Sequence, residues 1–414
     1  MEFHLLELSS YSDLQIKIML QNTTYEKRLF QLYSEYEYII HRTNRRMGLG
    51  NGIFDRYVHP VLSAQHVPIH WQYDLDPSTN PYLMVRLGVN SVFNAGAIEV
   101  DGKILLVARL EGYDRKSFFG VAESQTGVDR FRFWDHPIHI PHLENEVNIY
   151  DMRLTAHEDG WIYGVFCSEK QHPEHRDQPN AAMAQCGLAR TKDLKSWERL
   201  PNLQTPAPQQ RNCVLHPEFI DGKYAFYTRP QDGFIHAGSG KGIAWGLCRD
   251  ITNPVIETET VFEPRRYNTI NELKNGLGPA PIKTEHGWLQ LAHGVRQTAD
   301  GYRYVLYAFM TALNEPNRIT HRPGGYLIAP NSEERSGDVG NVLFSNGWIV
   351  RPDGTIYIYY ASADTRLHVA TTSLDRMIDY VMHTPPDAVN SGESAEQRRQ
   401  MIEKNQAFLH RYHM

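Results

Sequence analysis

Hydrophobic residues along this chain fall in short runs that alternate with polar positions, and the same kind of turn introduces run after run. A glycine turn followed by β-rich apolar residues reads DGKILLVARLE from Asp101, EDGWIYGVFCSE from Glu158, DGKYAFYTRPQD from Asp221, HGWLQLAHGV from His286 and PDGTIYIYYASAD from Pro352. The turn glycines, Gly102, Gly160, Gly222, Gly287 and Gly354, are spaced by 58, 62, 65 and 67 residues. A second alternating phrase follows most of them: FFGVAES after Ser117, CGLARTKDLKSWERL from Cys186, IAWGLCRDITNP from Ile243, YVLYAFMTALNEP from Tyr304 and LHVATTSLDRM from Leu367. Asp-Gly between alternating runs signals a hairpin, so each unit holds a hairpin with a strand on either side. Recurring four-stranded units are the mark of a propeller, and five of them predict an all-β, five-bladed β-propeller. A β-sandwich with chance Asp-Gly hairpins is the competing reading, but it does not predict two phrases recurring together at a steady period.

Both ends depart from this pattern. Leu29, Leu32, Tyr33, Tyr36 and Ile40 fall at helical spacing, with Glu26 early, Arg45 and Arg46 late, and Gly48 as a stop. Near the other end, Ser394 and Gln397 stand three apart, as in a capping box opening a helix. The expected organisation is a helical extension over 1–50, a propeller over 51–375 and a second helical extension over 376–414. The apolar stripes of the helices suit either a cover for the propeller's side or subunit contacts, and a homo-oligomer is expected.

Composition narrows the function classes. The formal charge of −6 argues against nucleic acid or an anionic membrane as partner. The 11% aromatic content, with 23 Tyr, suits pleated half-buried surfaces and sugar stacking. The start MEFHLLELSSYSDLQ lacks the basic and continuously apolar regions of a secretory signal, and no run is long enough for a membrane span, so a cytoplasmic protein is expected. Cys167, Cys186, Cys213 and Cys248, with no CxxC pair, read as reduced core residues.

Polar residues inside or just after apolar strands are the candidates for chemistry. They are Asn90 and Ser91; Arg109, Glu111, Asp114 and Arg115; Asp151, flanked by Tyr150 and Arg153; Arg211 and Asn212; Arg229; Lys274; His293; Tyr304; and Asp364. A lone Asp in a β-protein is usually a turn or cap residue, yet here similar polar positions recur unit after unit. Other motifs are weaker. His136, His139 and His142 are interrupted by prolines, and a three-residue step alternates faces on a strand, which disfavours a metal site. GSGKG has Gly242 where a phosphate loop needs Ser or Thr, and neither GxSxG nor HExxH occurs.

Long ordered segments over roughly residues 50–375, among them VNSVFNAGA, ARLEGYDRKSFFGVAES, VNIYDMRLTAHEDGWIYGVF, HPEFIDGKYAFYTRP, KNGLGPAPIKTEHGWLQLAHGV, GDVGNVLFSNG and YYASADT, resemble glycoside hydrolase family 130, the β-mannoside phosphorylases. IYDMRLT, where many members carry Glu-Asp-Pro-Arg, is similar to the branch acting on 4-O-β-D-mannosyl-D-glucose. The resemblance implies a five-bladed propeller and a reversible, inverting phosphorolysis giving α-D-mannose 1-phosphate and glucose. It implies Asp151 as general acid, acting through the 3-hydroxyl of the mannose. Arg211, Asn212, Arg229, His293 and Tyr304 are implied to hold phosphate, and Asn90, Ser91, Arg109, Lys274 and Asp364 the mannosyl unit. Arg115, Tyr150 and His236 fall where the leaving sugar is held. No metal or organic cofactor is expected, with phosphate as co-substrate and a disaccharide as the other small-molecule partner. Mannooligosaccharide or mannosyl-N-acetylglucosamine are alternative substrates. An inverting β-mannosidase would need a second carboxylate, with Glu111, Asp114 or Asp338 as candidates, and a non-catalytic sugar-binding propeller is the reading from another class.

Overall fold

The computed structural model describes residues 24–47, 50–178, 181–235, 237–299 and 301–412. Among these residues Asp55–Arg56 is strand β1, and 20 further strands follow it in five sheets arranged around one axis. Blade I contains β2 (Val89–Val100), β3 (Lys103–Gly112), β4 (Ser117–Ser124) and β5 (Arg132–Phe133). Blade II contains β6 (Asn148–Ala156), β7 (Ile162–Gln171), β8 (Ala182–Thr191) and β9 (Glu198–Leu203). Blade III contains β10 (Val214–Leu215), β11 (Tyr224–Thr228), β12 (Gly242–Cys248) and β13 (Thr260–Pro264).

Blade IV contains β14 (Lys274–Leu277), β15 (Ile282–Thr284), β16 (Gly287–Thr298), β17 (Gly301–Thr311) and β18 (Ile319–His321). Its inner edge is split, because β14 and β15 both pair with β16 and the stretch between them holds Pro279 and Pro281, which have no N–H for the ladder. Blade V contains β19 (Leu343–Val350), β20 (Thr355–Ser362) and β21 (Arg366–Ser373). Its outer strand is β1, with Asp55 opposite Thr371 and Arg56 opposite Ala370. A strand from before the first repeat thus completes the last blade and closes the ring. The sequence pattern did not reveal it, since two polar residues carry no periodicity.

All five repeat glycines lie on the hairpin that leads into the long second strand of a blade. Gly102, Gly160, Gly222 and Gly354 have φ of 74°, 80°, 70° and 80°, and Gly287 has 144°, values that L-residues with a Cβ rarely adopt. Apolar side chains of neighbouring blades interleave in five separate cores, one per blade interface. Near the axis the inner strands approach so closely that only glycine fits: a Cβ on Gly347 would stand 2.6 Å from the Ala95 carbonyl oxygen, and one on Gly278 2.6 Å from that of Ser345.

The helices differ from expectation in their limits. Helix α1 (Thr24–His41) ends before Arg45 and Arg46, and Gly48 lies outside the described residues. It covers its own chain: Leu29 packs with Leu83, and the Tyr25 hydroxyl donates to the Leu75 carbonyl at 2.8 Å. After the short α2 (Ile69–Gln72), α3 (Leu374–His383) buries Met377 and Val381 against blades IV and V. Helix α4 (Ser391–Arg411) starts earlier than the Ser394 and Gln397 pair suggests. Its cap is Asn390, whose side chain accepts from the Glu393 N–H at 3.0 Å, because Asn390 is the last residue in extended conformation. The four cysteines are buried and free, as their isolation in sequence implied.

Candidate active site

In every blade the inner strand runs away from one end of the ring and the second strand returns to it, and the polar positions singled out in the sequence collect at that end. Asn90 and Ser91 open β2, Arg109 and Glu111 close β3, Asp151 lies near the start of β6, and Arg211 and Asn212 precede β10. Arg229 follows β11, Lys274 opens β14, and Asp364 follows β20. His293 on β16 faces Gly276 of β14, where a Cβ would stand 2.7 Å from the His293 ring and 3.0 Å from the Asn212 side chain. Gly276 therefore lets these two polar side chains approach each other.

Asp151 sits in a bulge. The β6–β7 register shifts between Tyr150 and Arg153, and Asp151 adopts φ of 61°, an uncommon left-handed conformation for a non-glycine residue. The bulge breaks the strict alternation of the strand and re-aims the carboxylate, whose Oδ1 accepts from Asn94 Nδ2 at 2.8 Å and Arg109 Nη1 at 3.0 Å. Asn94 occupies a similar bulge in β2, with φ of 45°. The Arg109 guanidinium is held between the rings of Phe93 and Tyr150, 4.4 and 4.5 Å away, and also pairs with Glu111.

Electrostatics separates the two aspartates. Burial pushes the Asp151 carboxyl up, but the Arg109 charge, the Asn94 hydrogen bond and the Arg153 charge outweigh it and hold its pKa below the ordinary carboxylate range. For Asp364 the Arg109 and Arg211 charges are too weak to offset burial. Burial, reinforced by the nearby Asp151 charge, pushes it up to about 7.

Beyond Asp151 lies a group of cations. Arg211 donates to the Phe234 carbonyl at 3.0 Å and to the Tyr150 hydroxyl at 3.2 Å, while Arg229 donates to Gln231 and contacts His293 Nε2 at 3.1 Å. Among the described residues no carboxylate forms an ion pair with Arg211, Arg229 or Lys274. Burial pushes Arg229 down to about 10. Burial, with Arg229 and Arg211 close by, pushes Lys274 down to about 8. His293 is held far below its ordinary pKa by burial and by Arg229, Arg153 and Lys274, so its ring is neutral. Tyr304 stacks on it with ring centroids 6.0 Å apart. The half-buried Arg211 and Arg229 and the buried Lys274 repel one another, so a negative charge placed among them is favourable.

The remaining candidates are placed differently. Asn90 and Ser91 both donate to Asp338 Oδ2, at 2.5 and 3.1 Å. Tyr150 is buried between Arg109 and Arg211, with only 3% of its surface open. Arg115 is exposed in the β3–β4 turn at φ of 65°, outside the central group, and His236 lies outside the described residues. Asp114 accepts from the Lys116 N–H and serves the same turn. His136, His139 and His142 are exposed and are not among the described side chains that gather with metal-ligand spacing. Two residues of the site were not selected from sequence as site residues: Asn94 and Arg153. The signal for each was a polar side chain inside an otherwise apolar inner strand, in VFNAGA and DMRLT.

A family model described as β-1,4-mannooligosaccharide phosphorylase, of the glycoside hydrolase 130 group, matches residues 72–383. The chain is 55% identical over 387 residues to the 4-O-β-D-mannosyl-D-glucose phosphorylase of Bacteroides fragilis, covering 92% of this chain and 98% of that protein. It is 30% identical over 335 residues to the β-1,4-mannooligosaccharide phosphorylase of Ruminococcus albus, covering 75% and 90%. In fold it is similar to the solved structure of β-1,2-mannobiose phosphorylase from Listeria innocua, with a TM-score of 0.62 at 21% identity over 82% of this chain and 99% of that one.

Proposed function

The chain belongs to glycoside hydrolase family 130, and from that premise we propose that it catalyses the reversible phosphorolysis of 4-O-β-D-mannosyl-D-glucose to α-D-mannose 1-phosphate and D-glucose. The carrying observation is a partnered aspartate, Asp151, beside the half-buried Arg211 and Arg229, which no carboxylate pairs among the described residues, joined to 55% identity along nearly the whole chain with a phosphorylase of that disaccharide.

In this reading Arg211, Asn212, Arg229, His293 and Tyr304 hold phosphate, the arginines offering planar forks to its oxygens. A phosphate oxygen attacks the anomeric carbon as the bond to glucose O4 breaks on the opposite face, so β becomes α. Asp151 gives its proton to the mannose 3-hydroxyl, which passes its own proton to the departing O4. Asn90, Ser91, Arg109, Lys274 and Asp364 hold the mannosyl unit, and Arg115 and Tyr150 face the leaving sugar. Arg109, Asn94 and Arg153 hold Asp151 ionised, so this order needs a counter-charge that returns the proton to it. Phosphate entering beside Arg211 offsets the positive field at the carboxylate and raises its pKa when a proton is needed.

An inverting hydrolase would use a second carboxylate to activate water. Glu111 is tied to Arg109, Asp338 to Asn90 and Ser91, and Asp114 to its turn, which disfavours that role for each. The test is a product assay with and without phosphate, repeated with a metal chelator. Glucose should appear only with phosphate, with mannose 1-phosphate in equal amount, and the chelator should change nothing. Free mannose without phosphate would establish the hydrolase, and no turnover would leave a binding protein.

No described helix is long and apolar enough to cross a membrane, and a cytoplasmic site of action is part of the proposal. So is self-association through α4. Among its described residues none is buried, and Met401, Ile402, Phe408 and Leu409 lie exposed along one stripe of the helix. Sedimentation of the full chain should give a multimer that Phe408→Glu dissociates; a monomeric full chain overturns this.

A further inference from the structure

Arg153 is among the largest fully buried side chains in the protein, with 1% of its surface open, and the reaction described above gives it no task. Its three donating nitrogens serve three blades. Nη1 donates to the Asp151 carbonyl at 2.9 Å, Nη2 to Asn212 Oδ1 at 2.8 Å and Nε to the Gly278 carbonyl at 3.0 Å. Asn212 in turn donates through Nδ2 to the Leu277 carbonyl at 2.8 Å, so both functional ends of its amide are fixed.

These contacts fall on the points where the site is least determined by regular structure. Asp151 is in the left-handed bulge of β6. Asn212 is in the connection before β10. Gly278 is where the inner edge of blade IV breaks between β14 and β15. No ladder of hydrogen bonds sets the distance between these three points, because they belong to different sheets. One planar guanidinium with fixed angles between its donors does set it.

We propose that Arg153 is a positioning residue that locks the proton-delivering Asp151 in register with the phosphate-holding Asn212, so that acid and nucleophile meet the same sugar from opposite sides. The proposal rests on the roles assigned to those two residues. It differs from a purely structural role in what it predicts. A residue that only joins blades should affect all substrates alike, whereas loss of register harms chiefly the reaction that needs proton delivery.

The experiment compares mannosylglucose with 4-nitrophenyl β-D-mannoside, whose leaving group departs without a proton, both with inorganic phosphate. In Arg153→Lys one flexible ammonium replaces the fork and cannot hold three acceptors in the same geometry. The turnover of mannosylglucose should fall about 100-fold, the scale of an ångström-sized misplacement, while that of the nitrophenyl mannoside falls less than about 10-fold and the phosphate KM rises. Equal losses on the two substrates, or an unchanged phosphate KM, would overturn the proposal. Should Arg153→Lys not fold, Asn212→Ala carries the test by cutting one arm of the connection. It should shift the ratio of the two rates in the same direction as well as raise the phosphate KM, and an unshifted ratio overturns the proposal. The wild-type enzyme, run alongside, separates the two levels: absence of phosphate-dependent turnover there defeats the assigned reaction itself.

Discussion

Asp151→Asn is expected to lower phosphorolysis of mannosylglucose by about 10²–10⁴-fold, the range for loss of a positioned general acid. The substitution preserves shape and leaves an oxygen for Asn94 and Arg109 to bond, so the fold and the disaccharide KM should change little. What disappears is a transferable proton. Initial rates of glucose release measure the loss, and a decrease under about 10-fold would place the acid elsewhere.

The pH profile carries the same argument. Arg109, Asn94 and Arg153 hold Asp151 low, so at neutral pH it is mostly ionised. Phosphorolysis uses the protonated form, so kcat/KM for the disaccharide falls as pH rises through the pKa values of the free enzyme. With phosphate held beside Arg211 as proposed, its negative charge should raise the Asp151 pKa, and the corresponding fall in kcat is expected at higher pH. Asp364, pushed up to about 7, adds an inflection near that pH in kcat/KM. Asp364→Asn should remove that inflection and leave the displacement between the two profiles.

Arg229→Ala is expected to raise the phosphate KM by about 10–100-fold, the equivalent of a charge-assisted hydrogen bond worth about 1.5–3 kcal/mol. The disaccharide KM should change much less, because Arg229 lies among His293, Gln231 and the neighbouring cations and not beside Asn90 or Ser91. Arg229→Lys should recover part of the loss, since it restores charge without the planar fork. A phosphate KM within about threefold of wild type, against the tenfold that one such bond implies, would remove Arg229 from the phosphate site. The loss of its charge also lets Lys274 return toward its ordinary pKa, since Arg229 helps to push it down.

Much of the blade architecture was legible because its signal is local. A glycine turn between alternating runs, Asp-Gly in four of the five units and His-Gly in the other, is determined by a few adjacent residues, and all five turns appear where the repeats placed them. Strand β1 was not legible, because Asp55 and Arg56 acquire their role only by meeting β21, more than 300 residues later. The cap of α4 was misplaced by a few residues because Ser394 offers the same local chemistry as Asn390, and backbone conformation chose between them. Candidate site residues such as Arg211, Arg229 and Lys274 stood out as polar interruptions of apolar strands. Their mutual repulsion, and the burial that lowers two of their pKa values, arise only once the blades meet.

The sequence by itself determined the number of blades, the turns between their first strands, the family and the pool of polar residues from which a site is drawn. Those features follow from periodicity and short motifs, which act over a few residues. Only the tertiary structure decided that Asp151 leaves the plane of its strand in a bulge, that Arg109 and Asn94 hold it ionised while Asp364 is pushed toward protonation, and that Arg153 ties three blades beneath them. Charges and hydrogen bonds act over a few ångströms of space, and closing the ring brings Asn94, Arg109 and Asp364 within range of Asp151, and Asn212 within range of Arg153.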